Sequence, residues 1–559
     1  MEHIDDIIIG SGAGGLAAAL SLAKAGHKVV VIEQHYVPGG WCHSFYLKGQ
    51  RFSPGVHYIG KMDKGSSTSG IFEALGIANE MVFFRMNPRG YEHCWIGDDK
   101  RIDMPAGIDN LYESLAEKFP KEKKGLKKYL TIVKKVSEQL YYIPGMNGLW
   151  DNITIPFRTA QLGKYGLFSL KRVINWHIKD PTLKQVLNIQ CGDHGLPPSM
   201  AAFPVHCVAM DHYFDGGFYP MGGGAGIVKA MTNAIKKHGG EVRCGVGVKR
   251  VLLENNGKKK RAIGVELENG EIIKADRVVS NADPHQTYSK MVGKENLSKK
   301  LNAKLAKTKY SVTSLMLFIT VDMDVKAAGM DSGNIWMIRD KSIDEIYDDM
   351  AAPDIFAEDE FPAVFISCSS LKDPASYNGH YHNIEVVTYI KYDAYSEFEN
   401  EGTIRSKRYL DFKKRAGEKL LNNLEKVLPN VRDHIVQMDV STPITNEFYV
   451  RSTRGNVYGT EKNIWQVGPW TYNNKSEIEN LYLCGASVLA HGVGGCLNSG
   501  MQTAAKILNL HIDDMTKPEA GQEVRIYDAE DRSQWPDWLI SKMEQKKKLF
   551  EAKGAMENV

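Results

Sequence analysis

Ile4-Asp5-Asp6-Ile7-Ile8-Ile9-Gly10-Ser11-Gly12-Ala13-Gly14-Gly15-Leu16 stands near the start of the chain and decides its fold. The apolar run before Gly10 reads as a short buried strand. From Leu16 to Ala25 the Ala/Leu-rich stretch predicts a helix that stops at Gly26, and Lys28 to Ile32 predicts a second strand ending at Glu33. The turn between the first strand and the helix carries G-x-G-x-x-G. Gly10 permits the tight turn, Gly12 lets backbone approach a pyrophosphate, and Gly15 lets helix and strand pack closely, with Gly14 in the same turn. The helix N-terminus offers free N–H groups and a partial positive charge to phosphates. Glu33 is placed to accept hydrogen bonds from ribose hydroxyls, and its charge repels a 2′-phosphate. The stretch predicts a dinucleotide-binding unit.

Working outward, a second glycine pair, Gly39-Gly40, follows Glu33 closely and leads into Trp41-Cys42-His43-Ser44-Phe45. This resembles the extended FAD fingerprint of glutathione-reductase-like flavoproteins, which implies FAD rather than NAD in the first site. The run from Glu33 to Phe45, followed by Phe52-Ser53-Pro54-Gly55-Val56-His57-Tyr58-Ile59-Gly60, resembles the phytoene desaturase superfamily. Within it the likeness is to carotenoid cis–trans isomerases and retinol 13,14-reductases. Gly217-Phe218-Tyr219-Pro220-Met221-Gly222-Gly223 and Asp276-Arg277-Val278-Val279-Ser280-Asn281-Ala282 resemble two further blocks of that family. The resemblance extends from residue 4 to about 510. Ser53 departs from it, standing where members commonly carry an acid.

The implied fold class is α/β: a glutathione-reductase-like FAD-binding Rossmann domain, discontinuous in sequence, with an inserted α+β substrate domain. Residues 1–70, 215–300 and 476–515 are expected to form the FAD domain. Residues 71–214 and 301–475 are expected to form the substrate domain with a helical cap, and 516–559 a C-terminal tail. A helix is expected from Ile227 to His238, a strand from Glu241 to Val251, and an exposed hairpin tip at Asn255 to Lys260. Val248 resembles the position whose backbone contacts adenine. Asn480 to Leu483 reads as a strand entering Gly485, and Gly492, Gly494 and Gly495 lead into a helix from Asn498 to Leu510. By resemblance that helix points its N-terminus at the flavin.

The 559 residues carry 70 Lys+Arg against 67 Asp+Glu, a formal net charge of +3, which speaks against nucleic acid as a partner. No apolar run of about 18 residues predicts a spanning helix, and the N-terminus does not read as a signal peptide. Eight dispersed cysteines without C-x-x-C spacing predict no metal site and no disulfide framework, and favour a reducing, cytoplasmic location. Eight lysines between Lys118 and Lys135, with Leu126, Leu130 and Val133, suit an amphipathic helix. The basic–aromatic stretch 157–178 suits either a helical cap or peripheral contact with the inner face of a membrane.

The expected reaction is FAD-dependent hydride transfer at a carbon–carbon double bond of a long polyene or isoprenoid-like lipid, with a reductase favoured. Desaturation and redox-neutral cis–trans isomerisation are the alternatives, and a non-catalytic FAD-containing lipid-binding protein is the alternative from another class. No second G-x-G-x-x-G specifies a nicotinamide domain. Electrons would therefore come from bound NADPH or NADH, a quinone or an electron-carrier protein. His43, His57, Tyr58 and His491 are the candidate acid–base residues, because the fold brings their segments toward the flavin.

Overall fold

The computed structural model describes residues 3–142, 155, 157–257, 259–398 and 406–557. Its first sheet is fully parallel, in the order Leu481–Leu483, Arg277–Ser280, Asp6–Ile9, Val29–Glu33, Glu241–Cys244. Three separated stretches of chain thus build one sheet. Asp6–Ile9 lies at its centre and is buried throughout, as expected for a parallel strand covered on both faces. Helix Ala13–Lys24 covers one face and packs against helix Gly492–Leu508. A Cβ on Gly500 would collide with the Gly14 carbonyl oxygen, so the two helices cross with backbones almost touching. This crossing sets the first turn of helix Ala13–Lys24 against the middle of helix Gly492–Leu508.

The second large sheet is seven-stranded and mostly antiparallel. Its order is Ile435–Ser441, Thr313–Val321, His382–Ile390, Ala363–Cys368, Asn334–Ile338, Glu92–Ile96, Lys100–Met104. All nine residues of Thr313–Val321 are buried. Helices Ile108–Lys118, Lys123–Tyr142, Leu170–His177 and Phe203–His212 contribute to one apolar core with the near side of this sheet. In Lys123–Tyr142, Leu126, Tyr129, Leu130 and Val133 face that core, while all eight lysines from Lys118 to Lys135 are exposed.

Four local features differ from the sequence expectations. The helices expected at Ile227 and Asn498 begin earlier, as Gly224–Lys237 and Gly492–Leu508, so the glycines themselves form the first turns. The strand expected over Glu241–Val251 breaks at residues 245–247. The Gly245 N–H donates to the His35 carbonyl at 3.0 Å and the Val246 N–H to that of Glu33 at 3.2 Å, which fixes the end of the second strand. Helix Ser67–Ala74 runs through residue 70, and Phe72, Leu75, Ile77 and Phe83 share the core of the nucleotide-binding strands. In the tail, Arg525–Asp528 pairs in parallel with Val82–Arg85, and Trp535 and Leu539 pack with Val82 and Phe84.

Candidate functional site

The turn that opens helix Ala13–Lys24 is lined by backbone and by the Asn281 amide. Side chains at Gly12 and Gly14 would strike the Asn281 amide group, at 2.6 and 2.7 Å, and one at Gly15 would strike the Gly10 carbonyl. Gly40 packs on Gly12, with a Cβ only 3.1 Å from the Gly12 Cα. Glu33 is buried at the tip of its strand and accepts from the Ser11 N–H at 2.9 Å and the Ser11 hydroxyl at 2.6 Å. Its other oxygen accepts from the His35 N–H at 2.8 Å. Ser11 Oγ in turn accepts from the Gly39 N–H at 2.9 Å, tying the two glycine turns together. Val248 is buried where its strand begins, just beyond the break.

At the far end of this strip stands the N-terminus of Gly492–Leu508, with His491 as its N-cap residue. His491 Nδ1 and Asn498 Oδ1 are buried without a partner. Gly485 lies against Gly14, and Gly494 faces Thr68 and His212. Gly495 folds tightly over Ala490. A side-chain-free strip with unpartnered polar atoms at one end and a carboxylate at the other fits an extended dinucleotide bearing a polar ring system.

The second glycine pair leads to a polar layer between the two sheets. His43 Nδ1 lies 2.7 Å from the Gly40 carbonyl; burial lowers its pKa to about 4, against that bond. Ser44 Oγ meets Ser53 Oγ at 3.1 Å and accepts from the Ala225 N–H at 3.3 Å. The Ser53 N–H points at Glu385 Oε1, 3.5 Å away, so an acid does reach this place, from the opposite sheet. Burial pushes the Glu385 carboxyl up to about 8, opposed by Lys372. Lys372 is fully buried and donates to the His57 carbonyl at 2.8 Å, to Ser367 Oγ at 2.7 Å and to Asn334 Oδ1. Three acceptors use all three ammonium hydrogens, so this is the geometry of the charged form although burial pulls the pKa to about 7. The His57 ring lies 5.2 Å from that of Phe365, and burial, helped by Lys372, lowers its pKa to about 3.

Tyr58 turns the other way, into a buried acidic cluster. Its hydroxyl lies 2.5 Å from Glu92 Oε1 and 2.8 Å from Asp193 Oδ2. Glu92 also accepts from Trp336 Nε1 and Gln190 Nε2, both at 3.2 Å. The Tyr213 ring stacks on Tyr58 at 4.1 Å. Burial raises both carboxyl pKa values, and the neighbouring Glu92 charge raises that of Asp193 further. The His491 imidazole faces the Asp193 backbone; burial first, then Lys462, lowers its pKa to about 3. Behind Asp193, His194 Nε2 and His206 Nδ1 lie 3.3 Å apart beside Cys191, and burial keeps both imidazoles neutral.

Next to this cluster opens an almost wholly apolar pocket lined by Ile189, Trp336, Ile346, Tyr347, Phe365 and Tyr389. Of the four acid–base candidates, Tyr58 and His491 meet the Glu92–Asp193 cluster. His57 sits on the Lys372 side of the same segment, and His43 stays with the glycine turn. Sequence reading missed Glu92, Asp193, Lys372 and Glu385. A signal existed for Glu92: in Glu92–Ile96 the buried phase is Glu92, Cys94, Ile96, an acid standing where alternation calls for an apolar residue. Asp193 lies in a short helical turn and leaves no such mark.

The model of the family described as flavin containing amine oxidoreductase matches residues 13–508. An all-trans-retinol 13,14-reductase of Danio rerio is 28% identical over 545 residues, covering 92% of this chain and 87% of the relative. Prolycopene isomerase 1 of an Oncidium hybrid cultivar is 25% identical over 520 residues, covering 90% and 84%. Among solved structures, cyclohexylamine oxidase from Brevibacterium oxydans superposes with a TM-score of 0.57 at 15% identity, covering 91% of this chain and 99% of that one. All eight cysteines are free, and among the described residues no helix is long and apolar enough to cross a membrane. The parallel sheet, the glycine strip and the match over most of the chain place this protein in the flavin-containing amine oxidoreductase family, as a flavin-dependent oxidoreductase.

Proposed function

We propose that the chain binds FAD along the glycine strip and saturates a carbon–carbon double bond in a long apolar polyene of the retinoid or carotenoid kind, with NADPH or NADH as donor. Gly10, Gly12, Gly14 and Gly15 would meet the pyrophosphate, Glu33 the ribose and the Val248 backbone the adenine. Gly39, Gly40, Ser44, Gly485, Gly494 and Gly495 would hold the flavin half. When bound, the flavin supplies hydride transfer. The chain's own part is to exclude water, orient the polyene and manage the proton. The observation that carries this reading is Trp336. It lines the apolar pocket, a cavity of about 30 Å³, and its Nε1 bonds Glu92, so the apolar lining borders proton-bearing groups. Burial keeps His57, His491 and His43 neutral, suited to hydrogen bonding rather than to charge.

Redox-neutral cis–trans isomerisation is the second reading, favoured by the prolycopene isomerase relative. Purified holoprotein, reduced anaerobically by NADPH and mixed with all-trans-retinol or a cis-carotenoid, separates the readings. Flavin reoxidation with a product carrying two added hydrogens supports the reductase. An isomer of unchanged mass with flavin still reduced supports the isomerase. Flavin that never cycles supports a lipid-binding role. If only a quinol or a reduced carrier protein reduces the flavin, the nicotinamide donor is wrong. His57→Ala should lower turnover about tenfold with flavin content retained; unchanged turnover removes His57.

The exposed Phe157, Leu167 and Trp176, with Arg172 stacked on Phe168 and Trp176, support peripheral docking on the cytoplasmic face of a membrane. Co-sedimentation with anionic vesicles that Leu167→Glu abolishes is the expected result.

A further inference from the structure

We infer that Tyr58, Asp193 and Glu92 form a shared-proton relay that supplies the proton completing saturation of the substrate double bond, an inference that rests on the reductase reading above. A phenol has one hydrogen to donate, yet the Tyr58 oxygen lies within hydrogen-bond distance of two carboxyl oxygens, at 2.5 and 2.8 Å. Both contacts can be hydrogen bonds only if one carboxyl group carries a proton and donates it to the phenolic oxygen. Two adjacent carboxylates, Glu92 buried and Asp193 half-buried, would repel each other if both were ionised, which points the same way.

The surroundings decide which carboxyl holds that proton. Glu92 accepts from three donors: the Tyr58 hydroxyl, Trp336 Nε1 and Gln190 Nε2. That donor set stabilises an ionised carboxylate. Among the described residues the Asp193 carboxyl has only Tyr58 as a hydrogen-bond partner, so it is the protonated member. The chain of bonds therefore runs from the Asp193 carboxyl O–H to the Tyr58 oxygen, and from the Tyr58 O–H to Glu92. Other ionisable groups facing the cluster are Tyr91 and Tyr213, both buried phenols, His93 on the outer side of the Glu92 strand, Lys372 near Glu92, and His491 at the Asp193 backbone.

The cluster also lies where a proton is wanted. Gly192, next to Asp193, and Trp336 and Phe365, next to Glu92 and Tyr58, all line the apolar pocket. On the opposite side, His491 connects Asp193 to the helix N-terminus at the end of the glycine strip. Saturation adds a hydride, carrying two electrons from the reduced flavin, to one carbon and a proton to its neighbour. For delivery the Tyr58 O–H turns from Glu92 toward the pocket side, gives that proton and takes one from Asp193, which regains a proton from bulk solvent after product leaves. The flavin is left oxidised until a two-electron donor, reduced nicotinamide or dithionite, reduces it again. Tyr58 is then a catalytic residue, and Asp193 and Glu92 act through it as positioning and proton-storing residues.

The test uses the flavin-loaded wild type with Tyr58→Phe, Asp193→Asn and Glu92→Gln. Without substrate, the infrared difference spectrum of wild type minus Asp193→Asn at neutral pH should contain a protonated-carboxyl C=O stretch that shifts in D2O, the Glu385 carboxyl cancelling because both proteins carry it. Its absence from the difference overturns the shared proton. With dithionite-reduced enzyme and polyene, reoxidation of flavin should slow about a hundredfold or more in Tyr58→Phe and Asp193→Asn. Flavin reduction by the donor should stay within about twofold, and one deuterium from D2O should enter the wild-type product. Variants that saturate the polyene at the wild-type rate overturn the relay and leave the reductase reading intact. A wild type that saturates no polyene overturns that reading and the delivery step with it, while the infrared band still decides the shared proton.

Discussion

The two ends of the site are built from different materials. The nucleotide end is backbone: glycines, strand tips and helix N-termini, most of them within residues 10–40. The end proposed to react is side chain: Tyr58, Glu92, Asp193, Trp336, Lys372 and Glu385, drawn from six separated segments, all buried but Asp193, which is half-buried. A site made of backbone constrains what its residues must lack, and that constraint is local. A site made of side chains constrains only where distant strands meet. The first is therefore rigid to the addition of one atom, whereas the second is sensitive to the loss of one partner.

That contrast can be broken or sharpened by experiment. The largest effect is expected at Lys372, which serves three buried acceptors. Lys372→Met would leave all three unpaired, destabilising the fold by about 4 kcal/mol at about 1–3 kcal/mol per group. Denaturant titration should detect this, while the folded fraction still binds flavin. At the other end, Gly15→Val forces a side chain onto the Gly10 carbonyl. Flavin affinity should fall about a hundredfold, roughly 2.7 kcal/mol, as measured by cofactor retention on dialysis. If that variant keeps its flavin while Lys372→Met loses it, the division of labour drawn here is wrong.

Glu33→Gln removes a charge but no shape, and its single amide oxygen can serve Ser11 or His35 but not both. A loss of about tenfold in flavin affinity, roughly 1.4 kcal/mol, is expected, with a lowered melting temperature from the donor left facing the amide N–H2. The smallest effect lies outside both ends. His93 follows Glu92 in the same strand but faces outward, between Asp103 at 2.6 Å and Asp331 at 3.0 Å. Burial opposes its charge, yet the two carboxylates prevail and raise its pKa to about 9. Because the folded pKa lies above the unfolded value of about 6.5, the stabilisation is fully present below that pH and is lost as pH rises through about 9. Asp103 is well exposed, so solvent screening leaves on the order of 1 kcal/mol. Denaturation midpoints of wild type and His93→Gln should differ at pH 6 and converge above pH 10.

How much was legible beforehand follows the same division. Gly10, Gly12 and Gly15, the acid at 33 and the pair at 39–40 all stand where the sequence pattern placed them, because each answers a steric demand of its neighbours in the chain. Glu92 was legible only as a polar residue in the apolar phase of a strand, and Asp193 not at all. The tail strand Arg525–Asp528 was equally hidden, since its pairing partner lies over four hundred residues away.

By itself, then, the sequence determined the parallel nucleotide-binding sheet, its glycine strip and the flavoprotein resemblance, all of which rest on short-range periodicity and on the space a missing Cβ leaves. Only the tertiary structure decided that Tyr58 meets two carboxyl groups, that Lys372 fastens the His57 backbone, and that an apolar pocket ends at that cluster. The physical reason is that hydrogen-bond partnership and burial belong to pairs of residues far apart in the chain. No window of sequence contains both members.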